Sequence, residues 1–497
     1  MIVSSPPCRR QRLHFASPPW QPAFPHWQLL DQQLPPDHHA RLIVRAIASL
    51  DLRPLTDSYA GRGSLPYPPG FMLRIALIEI HEGKHSPTQW WRDTRRDQVL
   101  QWAGYGIRPS RSCWYRFHHR LAPLLDAFNR QVLQLAQQQR QLTGARASLD
   151  GSTVAANASR HRLLNAERLD QRQQQLAQPP DPPPAWMARS PRGRAAQRRR
   201  YEQARARLDQ RLAANARRNP AKRQNPKKIV VSGTDPEAAL GLDKNKVFRP
   251  LYNVQLLDDL DSPFLLGYDV LAQPTDAGAL APLLDRGRQL LGHVPSVVLA
   301  DATYVSGADL ATAARRGVTL YGPWLENDYT DKQAPSKIGK EQFVWLPQEQ
   351  AYRCPQGQLL THIGQEKRQR ADGQVDLLHK YRCAPRHCRA CPLRAACTSS
   401  PERGRSVKRS EHEELIEAHK ARMATAEAKA LYKLRRQTVE LGFADLKEHR
   451  RLRRFGGRGI ARARATVALA VLVHNLRALH CAPRIKRETV TLVKNGP

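Results

Sequence analysis

Acidic residues are scarce in this chain: 44 Asp and Glu stand against 80 Lys and Arg, a formal charge of +36 over 497 residues. A compact monomer with that imbalance repels itself unless a polyanion compensates it. Small acidic metabolites need only a few cations, so the partner expected is nucleic acid, with an anionic membrane surface as the competitor. Long apolar runs are also missing. The longest, Ala465 to Val473, includes Thr466 and is about half the ~20 residues of a spanning helix, so no membrane insertion is expected. Residues Met1 to Phe24 carry Pro6, Pro7, Pro18, Pro19 and Pro22 and no uninterrupted hydrophobic core, so no signal peptide is expected either. The chain is therefore expected in the cytoplasm. Eight cysteines there argue for metal or free thiols rather than disulfides. Hydrophobic residues, at 41 %, suffice for a core and exclude wholesale disorder. The length suggests about three domains.

The chain reads as a series of segments. Residues 1–35 are Pro-rich and expected as a poorly ordered tail. Residues 36–140 are helical: Leu42, Ile43, Val44, Ile47 and Leu50 recur at helical spacing, as do Met72, Leu73, Ile75, Ala76, Ile78 and Ile80. Pro109-Ser110-Arg111-Ser112 then starts a helix through Tyr115 to Arg120. Its basic residues, Arg116 and Arg120 among them, suit a helix-turn-helix DNA reader. A helical bundle with solvated arginines is the plainer alternative.

From residue 145 the period changes. Ala147 to Val154 reads as a strand, followed by an insertion at 160–228. Between Arg189 and Lys228 there are fifteen Lys/Arg and two acids, Glu202 and Asp209, which suits a solvated basic helix or arm. Strand signals resume at Ile229, Leu251 to Leu257 and Phe264 to Val270. Helix and strand alternate to residue 325, with the Val297 to Ala300 strand ending at Asp301. The pattern is that of an α/β mixed-sheet domain.

Residues 326–405 hold the cysteine cluster: Cys383, Cys388, Cys391 and Cys397, with Cys354 upstream. Thiolates grouped on turns bind Zn²⁺ tetrahedrally, and four of them make a structural site with no open position. Five candidates compete for four places, and a reduced cluster without metal is the alternative.

Residues 406–482 return to helix. Tyr432, Arg436, Glu440, Phe443 and Lys447 fall at steps of 4, 4, 3 and 4, one stripe. Gly442, a poor helix former, hints at a close approach there. Acids at strand ends, an acid on a late basic helix and a charge suited to a polyanion fit one chemistry: in-line phosphoryl transfer on two Mg²⁺ ions held by carboxylates. Spacing does not choose among Asp150, Asp235, Asp258, Asp276 and Asp301.

Local strings go further. Leu149-Asp150-Gly151-Ser152-Thr153-Val154, Thr234-Asp235-Pro236, Tyr252-Asn253-Val254-Gln255, Leu299-Ala300-Asp301-Ala302-Thr303-Tyr304, Cys391-Pro392-Leu393-Arg394 and Val439-Glu440-Leu441-Gly442-Phe443 occur in this order. In this the chain resembles insertion-sequence transposases of the DDE class with an InsH-type N-terminal domain and a cysteine-rich insert. The resemblance implies an RNase H-like mixed sheet with helices, preceded by an all-α DNA-binding domain and interrupted by a small zinc-ribbon-like insertion. It implies Asp150, Asp301 and Glu440 as ligands of two Mg²⁺ (or Mn²⁺), and Arg436, Lys447 and Tyr432 on the DNA. Thr303 stands where the family motif has Gly, and a positive φ there would strain it. The implied activity is metal-dependent cleavage at element ends and strand transfer into target DNA. The partners would be terminal inverted repeats and target DNA, bound by a homo-oligomer on the bacterial nucleoid. A non-catalytic DNA-binding protein or repressor derived from a transposase is the alternative.

Overall fold

The computed structural model describes residues 15–59, 64–325, 338–369 and 375–481. The first fourteen residues of the expected tail, 326–337 of the expected insertion and residue 482 lie outside them. The chain divides into two compact units: Met1–Asp276 with Pro282–Pro295 and Arg436–Pro497, and Ala277–Ala281 with Ser296–Arg435. Both helix and strand are abundant, and the fold class is mixed α/β.

The first unit begins with helices. Three of them, Pro25–Gln33, Pro69–His81 and Pro87–Asp93, start at a proline, whose fixed φ suits a first turn and whose missing N–H costs nothing there. Ser86 closes a capping box with Gln89, and Asp97 and Ser110 accept from the next helix starts, Gln98–Ala103 and Arg111–Leu121. Pro69–His81 buries Met72, Leu73, Ile75, Ala76, Leu77, Ile78 and Ile80, so it is a central helix rather than a surface one. The Pro-rich segment is not wholly a tail: Pro25–Gln33 is helical, Leu30 is buried, and the Trp27 ring stacks on Tyr105 at 5.3 Å. A run of prolines reads as breakers, but Pro25 begins a helix instead of ending one.

The sheet of this unit is antiparallel. The long strand Phe248–Asp259 pairs along one edge with Arg146–Ala155 and along the other with Leu265–Leu271 and Ala239–Leu242. The closing helix, Ile460–Cys481, is buried over most of its length and packs against Leu265–Leu271, Leu125–Gln138, His39–Ala48 and Pro69–His81. The N-terminal helices and the Asp150 sheet fall within one compact unit. That helix supplies apolar surface to both.

The basic insertion is folded as well. The helices Ala166–Ala177 and Pro191–Ala216 and the short strands Leu163–Leu164 and Val231–Ser232 enclose a core of Leu164, Leu169, Leu176, Met187, Tyr201, Ala204, Leu208, Ile229 and Val231.

In the second unit the parallel strands Val297–Leu299 and Thr319–Tyr321 flank the helix Gly307–Arg315. A five-stranded antiparallel sheet follows in the order Ser406–Ser410, Val375–Cys383, Leu359–Gln369, Ala351–Arg353, Val344–Leu346. Its last strand by sequence begins at Ser406. The helix Ala426–Ala444 has residues in both units. Among the described residues no helix is long and apolar enough to cross a membrane.

Candidate active site

Asp150 lies in the middle of the Arg146–Ala155 strand, half-buried. Register places Ser148 opposite Asp258, Asp150 opposite Leu256 and Ser152 opposite Val254, so these six residues share one face of the sheet. The C-terminal part of the Glu440 helix covers it. Thr438 Oγ1 and Ser148 Oγ share a hydrogen bond of 2.8 Å, and a Cβ added at Gly442 would overlap Asp258 Oδ1. The close approach that Gly442 hinted at is therefore real, and its partner is a carboxyl.

Asp258 is fully buried, and Oδ2 has no hydrogen-bond partner. Burial pushes its carboxyl well above the usual range, and the charges of Asp150 and Asp259 add to this. Asp259 is pushed up to about 7, again chiefly by burial, although Ser262 donates to it at 2.6 Å. Spacing alone had left Asp258 among five undistinguished acids. Its burial was hidden because strand pairing decides it.

Lys447 sits in a π-helical turn, Asp445–His449, directly after the Glu440 helix. Its ammonium donates to Ser152 Oγ at 2.5 Å and Thr153 O at 3.1 Å. Burial and the charges of Lys244 and Arg453 lower it to about 8, while Asp150 opposes the shift. Arg453 is itself paired with Glu448. Lys447, expected on DNA, is thus turned onto the Asp150 strand. Lys244 gave no sequence signal, because it belongs to a turn far away in the chain.

The predicted stripe separates into different surroundings. Val439, Gly442, Phe443 and Leu446 face the interior. Tyr432 is half-buried, while Arg436 and Glu440 are 89 % and 73 % exposed and 3.8 Å apart. At ~100° per residue, Glu440 stands roughly a third of a turn from the centre of the buried face. A stripe of four-residue steps drifts round the helix by ~40° each time, which carries Glu440 out to the rim.

Asp301 belongs to the second unit. It caps the 3₁₀ turn Ala302–Tyr304, with Oδ1 accepting from Thr303 N at 2.8 Å and Thr303 Oγ1 at 2.5 Å. Thr303 does not have a positive φ. The expected strain is absent, and the hydroxyl that replaces a glycine hydrogen binds the acid.

A network fixes the π-helical turn. Arg450, fully buried, donates to both oxygens of Asp445 at 3.2 Å and to His81 O at 3.3 Å, and His85 Nε2 donates to Arg450 O at 2.6 Å. His474 meets Asp445 Oδ2 through Nδ1 at 2.9 Å and Pro263 O through Nε2 at 2.7 Å. Burial alone would raise the Asp445 carboxyl, but His474 and Arg450 hold it down at about 2. Burial and the Arg450 charge keep His81 neutral, at about 3.

In the second unit Cys383 ends a strand, Cys388 lies in the helix Pro385–Arg389, Cys397 ends Arg394–Cys397, and Cys354 follows Ala351–Arg353. Burial, then the hydrogen bond and charge of Cys388, then Cys354 and Cys397 push the Cys383 thiol up to about 12. Cys397 is raised by burial and by Cys388, Cys391 and Cys354. Thiols that penalise one another's ionisation are a donor set that a dication would relieve. Among the described residues, however, no group of three or more His, Cys, Asp or Glu is spaced to hold an ion. For zinc the chemistry of the donors fits, and none of these cysteines is in a disulfide. For magnesium, Asp150, Asp301 and Glu440 each offer a hard carboxylate.

Among the helices expected to read DNA, Arg116 is exposed, whereas Arg120 donates to Ser58 O and lies 4.5 Å over the Tyr59 ring. An open cleft lined by Trp91, Ser110, Arg111, Ser112 and Tyr115 lies at the start of the same helix. Arg111 and Arg462 both stand over the Tyr115 ring, at 5.8 and 5.7 Å.

Residues 353–480 match the family model for the transposase DDE domain. The match supports a DDE transposase. It spans about a quarter of the 497 residues, including Glu440, Lys447 and the five clustered cysteines, and leaves Asp150 and Asp301 outside. Transposases of this kind act on DNA and use divalent metal. No curated protein and no solved structure matches the chain.

Proposed function

We propose that this chain is a metal-dependent DDE transposase that cleaves DNA at the ends of an insertion sequence and joins them to target DNA. The observation carrying the reading is the transposase DDE match over the segment that bears Glu440, laid onto the strand that bears Asp150. Asp150, Asp301 and Glu440 would hold Mg²⁺ or Mn²⁺. When bound, the two ions lower the barrier to in-line displacement at phosphorus. Water adds to phosphorus as the P–O3′ bond at the element end breaks, and the freed 3′-hydroxyl then displaces a 3′-oxygen of target DNA.

The chain's own groups have separate tasks. Lys447, at about 8, carries a positive charge at neutral pH and sits beside Asp150, where it offsets carboxylate repulsion before an ion binds. Arg436, exposed and paired with Glu440 at 3.8 Å, would exchange that pairing for a phosphate. The sheet bearing Asp150 and Asp258 suits the RNase H-like core of such enzymes. Residues 36–140, of the InsH type, would read the terminal inverted repeats, with Arg116 and the Arg111/Tyr115 cleft towards DNA. The cysteine-bearing sheet would take structural zinc on Cys383, Cys388, Cys391 and Cys397, with Cys354 the alternative to one of them. Work in the nucleoid as a homo-oligomer completes the reading.

The test is incubation of purified protein with Mg²⁺ and DNA carrying the terminal repeats. Cleavage and joined products are expected, and loss of both is expected in Asp301→Asn and Glu440→Gln. Cleavage unaltered by those changes would remove the assignment. One observation favours a second reading, a DNA-binding repressor derived from a transposase: Glu440 is exposed and paired with Arg436. Tight binding to the repeats without any Mg²⁺-dependent nicking would decide for it.

A further inference from the structure

The insertion at 160–228 is strongly one-sided in charge, with 19 Lys/Arg and five acids. That imbalance would be unremarkable in a solvated arm. Here it is displayed on a folded body whose own core closes beneath it, so the cations have fixed positions. Tyr201, Ala204 and Leu208 point the apolar side of the Pro191–Ala216 helix into that core.

The arginines are held in a way that does not cancel their charge. Arg198 donates to Leu176 O at 2.6 Å, Arg207 to Ala272 O at 3.2 Å and Arg211 to Val230 O at 2.8 Å. A carbonyl orients a guanidinium but leaves its full positive charge. The ion pairs among the described residues of the insertion are those of Arg205, with Asp170 and with Asp209. Like charges crowd instead: burial and then the charges of Arg207 and Arg218 lower Arg211, and burial and then Arg458 lower Arg200. Arg458, whose field also reaches Asp235, belongs to the Arg-rich loop before the closing helix, so the positive surface continues from the insertion onto the sheet's own unit. Beyond the helix, Arg217, Arg218, Lys222, Arg223, Lys227 and Lys228 are all exposed.

We propose that the insertion is a second DNA-holding surface, a platform that grips the phosphate backbone of duplex DNA without reading its sequence. This rests on the transposase reading and adds to it a contact outside the N-terminal helices. Fixed cations that crowd without counter-charges are at lower free energy beside a polyanion, and displacing counterions from the duplex adds to the gain. The dimensions agree: the 26-residue helix is about 39 Å long, close to one turn (~34 Å) of duplex. A lipid surface fits poorly, because a membrane-lying helix needs an apolar face to insert and this one is already buried. Single strands fit poorly too, since Trp186, the aromatic nearest the surface, is stacked on Tyr201 with Arg172 above it.

The experiment uses the full chain and a 30-base-pair duplex lacking the terminal repeats, with affinity read by fluorescence anisotropy from about 0.05 to 0.3 M salt. One variant carries Lys222→Gln, Arg223→Gln, Lys227→Gln and Lys228→Gln, all exposed and outside the small core. A control carries Arg353→Gln, Lys367→Gln, Arg368→Gln and Arg386→Gln, the same loss of charge elsewhere. The insertion variant is expected to bind at least tenfold more weakly and to lose up to ~3.6 from the slope of log affinity against log salt, ~0.9 per phosphate contact. The control is expected to move far less. Equal losses in both would reduce the effect to net charge and overturn the proposal, as would an unchanged insertion variant. Parent protein that binds phosphatidylserine vesicles but not the duplex would overturn it in favour of a membrane. Cleavage of repeat-bearing DNA by the same parent preparation reads the transposase assignment separately, so either can fail while the other stands.

Discussion

Gly442 of the Glu440 helix rests against the carboxyl of Asp258, with no room for even one carbon between them. The helix can lie this close to the Asp150 strand only because position 442 lacks a side chain. Gly442→Ala would normally raise helix propensity by about 1 kcal/mol. Here the overlap wins, and a net loss of roughly 1–3 kcal/mol is expected in urea denaturation. Asp258→Ala in the same chain should recover part of that loss. A stabilised G442A would show that the contact does not set the height of the helix.

The buried pair Arg450–Asp445 makes a second prediction. Asp445→Ala leaves a fully buried guanidinium without its carboxylate and should cost about 3–5 kcal/mol. The double change Asp445→Leu with Arg450→Met removes both charges and should cost clearly less. Equal losses in the single and double variants, measured by thermal or urea unfolding, would mean that the charge pair is not the source.

Glu79 gives a pH prediction. It is completely buried beside Lys84, 3.3 Å away, and burial outweighs that lysine to push its carboxyl up to about 8. The folded value exceeds the unfolded one of about 4.5. Its contribution is therefore fully present below about pH 4.5 and disappears as pH rises towards 8. Glu79→Gln, compared with the parent by chemical denaturation, should gain relative stability between pH 5 and 8, on the order of 3 kcal/mol. A difference independent of pH would contradict the shift.

Metal analysis tests the cysteine cluster. One zinc per chain is expected after purification, and a chelator should lower the melting temperature and expose titratable thiols. Cys383→Ser should remove both the metal and the chelator effect, since that thiol is central to the group. Protein without zinc and indifferent to chelator would establish the cluster as reduced thiols.

Much of the fold was legible where the local pattern carries it. The Asp150 strand, the N-terminal helices and the grouping of the cysteines each show in a dozen or so consecutive residues. What was hidden depends on residues far apart. The insertion reads as a solvated arm because Leu164, Met187, Ile229 and Val231, which close its core, are scattered over nearly seventy positions with no common period. The stripe from Tyr432 to Lys447 was legible as spacing but not as environment. Which side of a helix meets the sheet is settled by Gly442 against Asp258 and Thr438 against Ser148, contacts across about 180 and 290 residues. Asp301 was legible as a strand end. That Thr303 would bind it, rather than strain against it, needed the turn itself.

Arg450 has one more implication. It joins His81 of an early helix, and His85 in the loop after it, to Asp445, which His474 holds from the closing helix. The helices proposed to recognise DNA and the turn beside the Asp150 strand are thereby riveted into a single mechanical piece. Chimaeras that exchange the first 140 residues between related proteins should misfold unless these four partners travel with Arg450, so the choice of DNA sequence and the machinery for cutting it would have to change hands together.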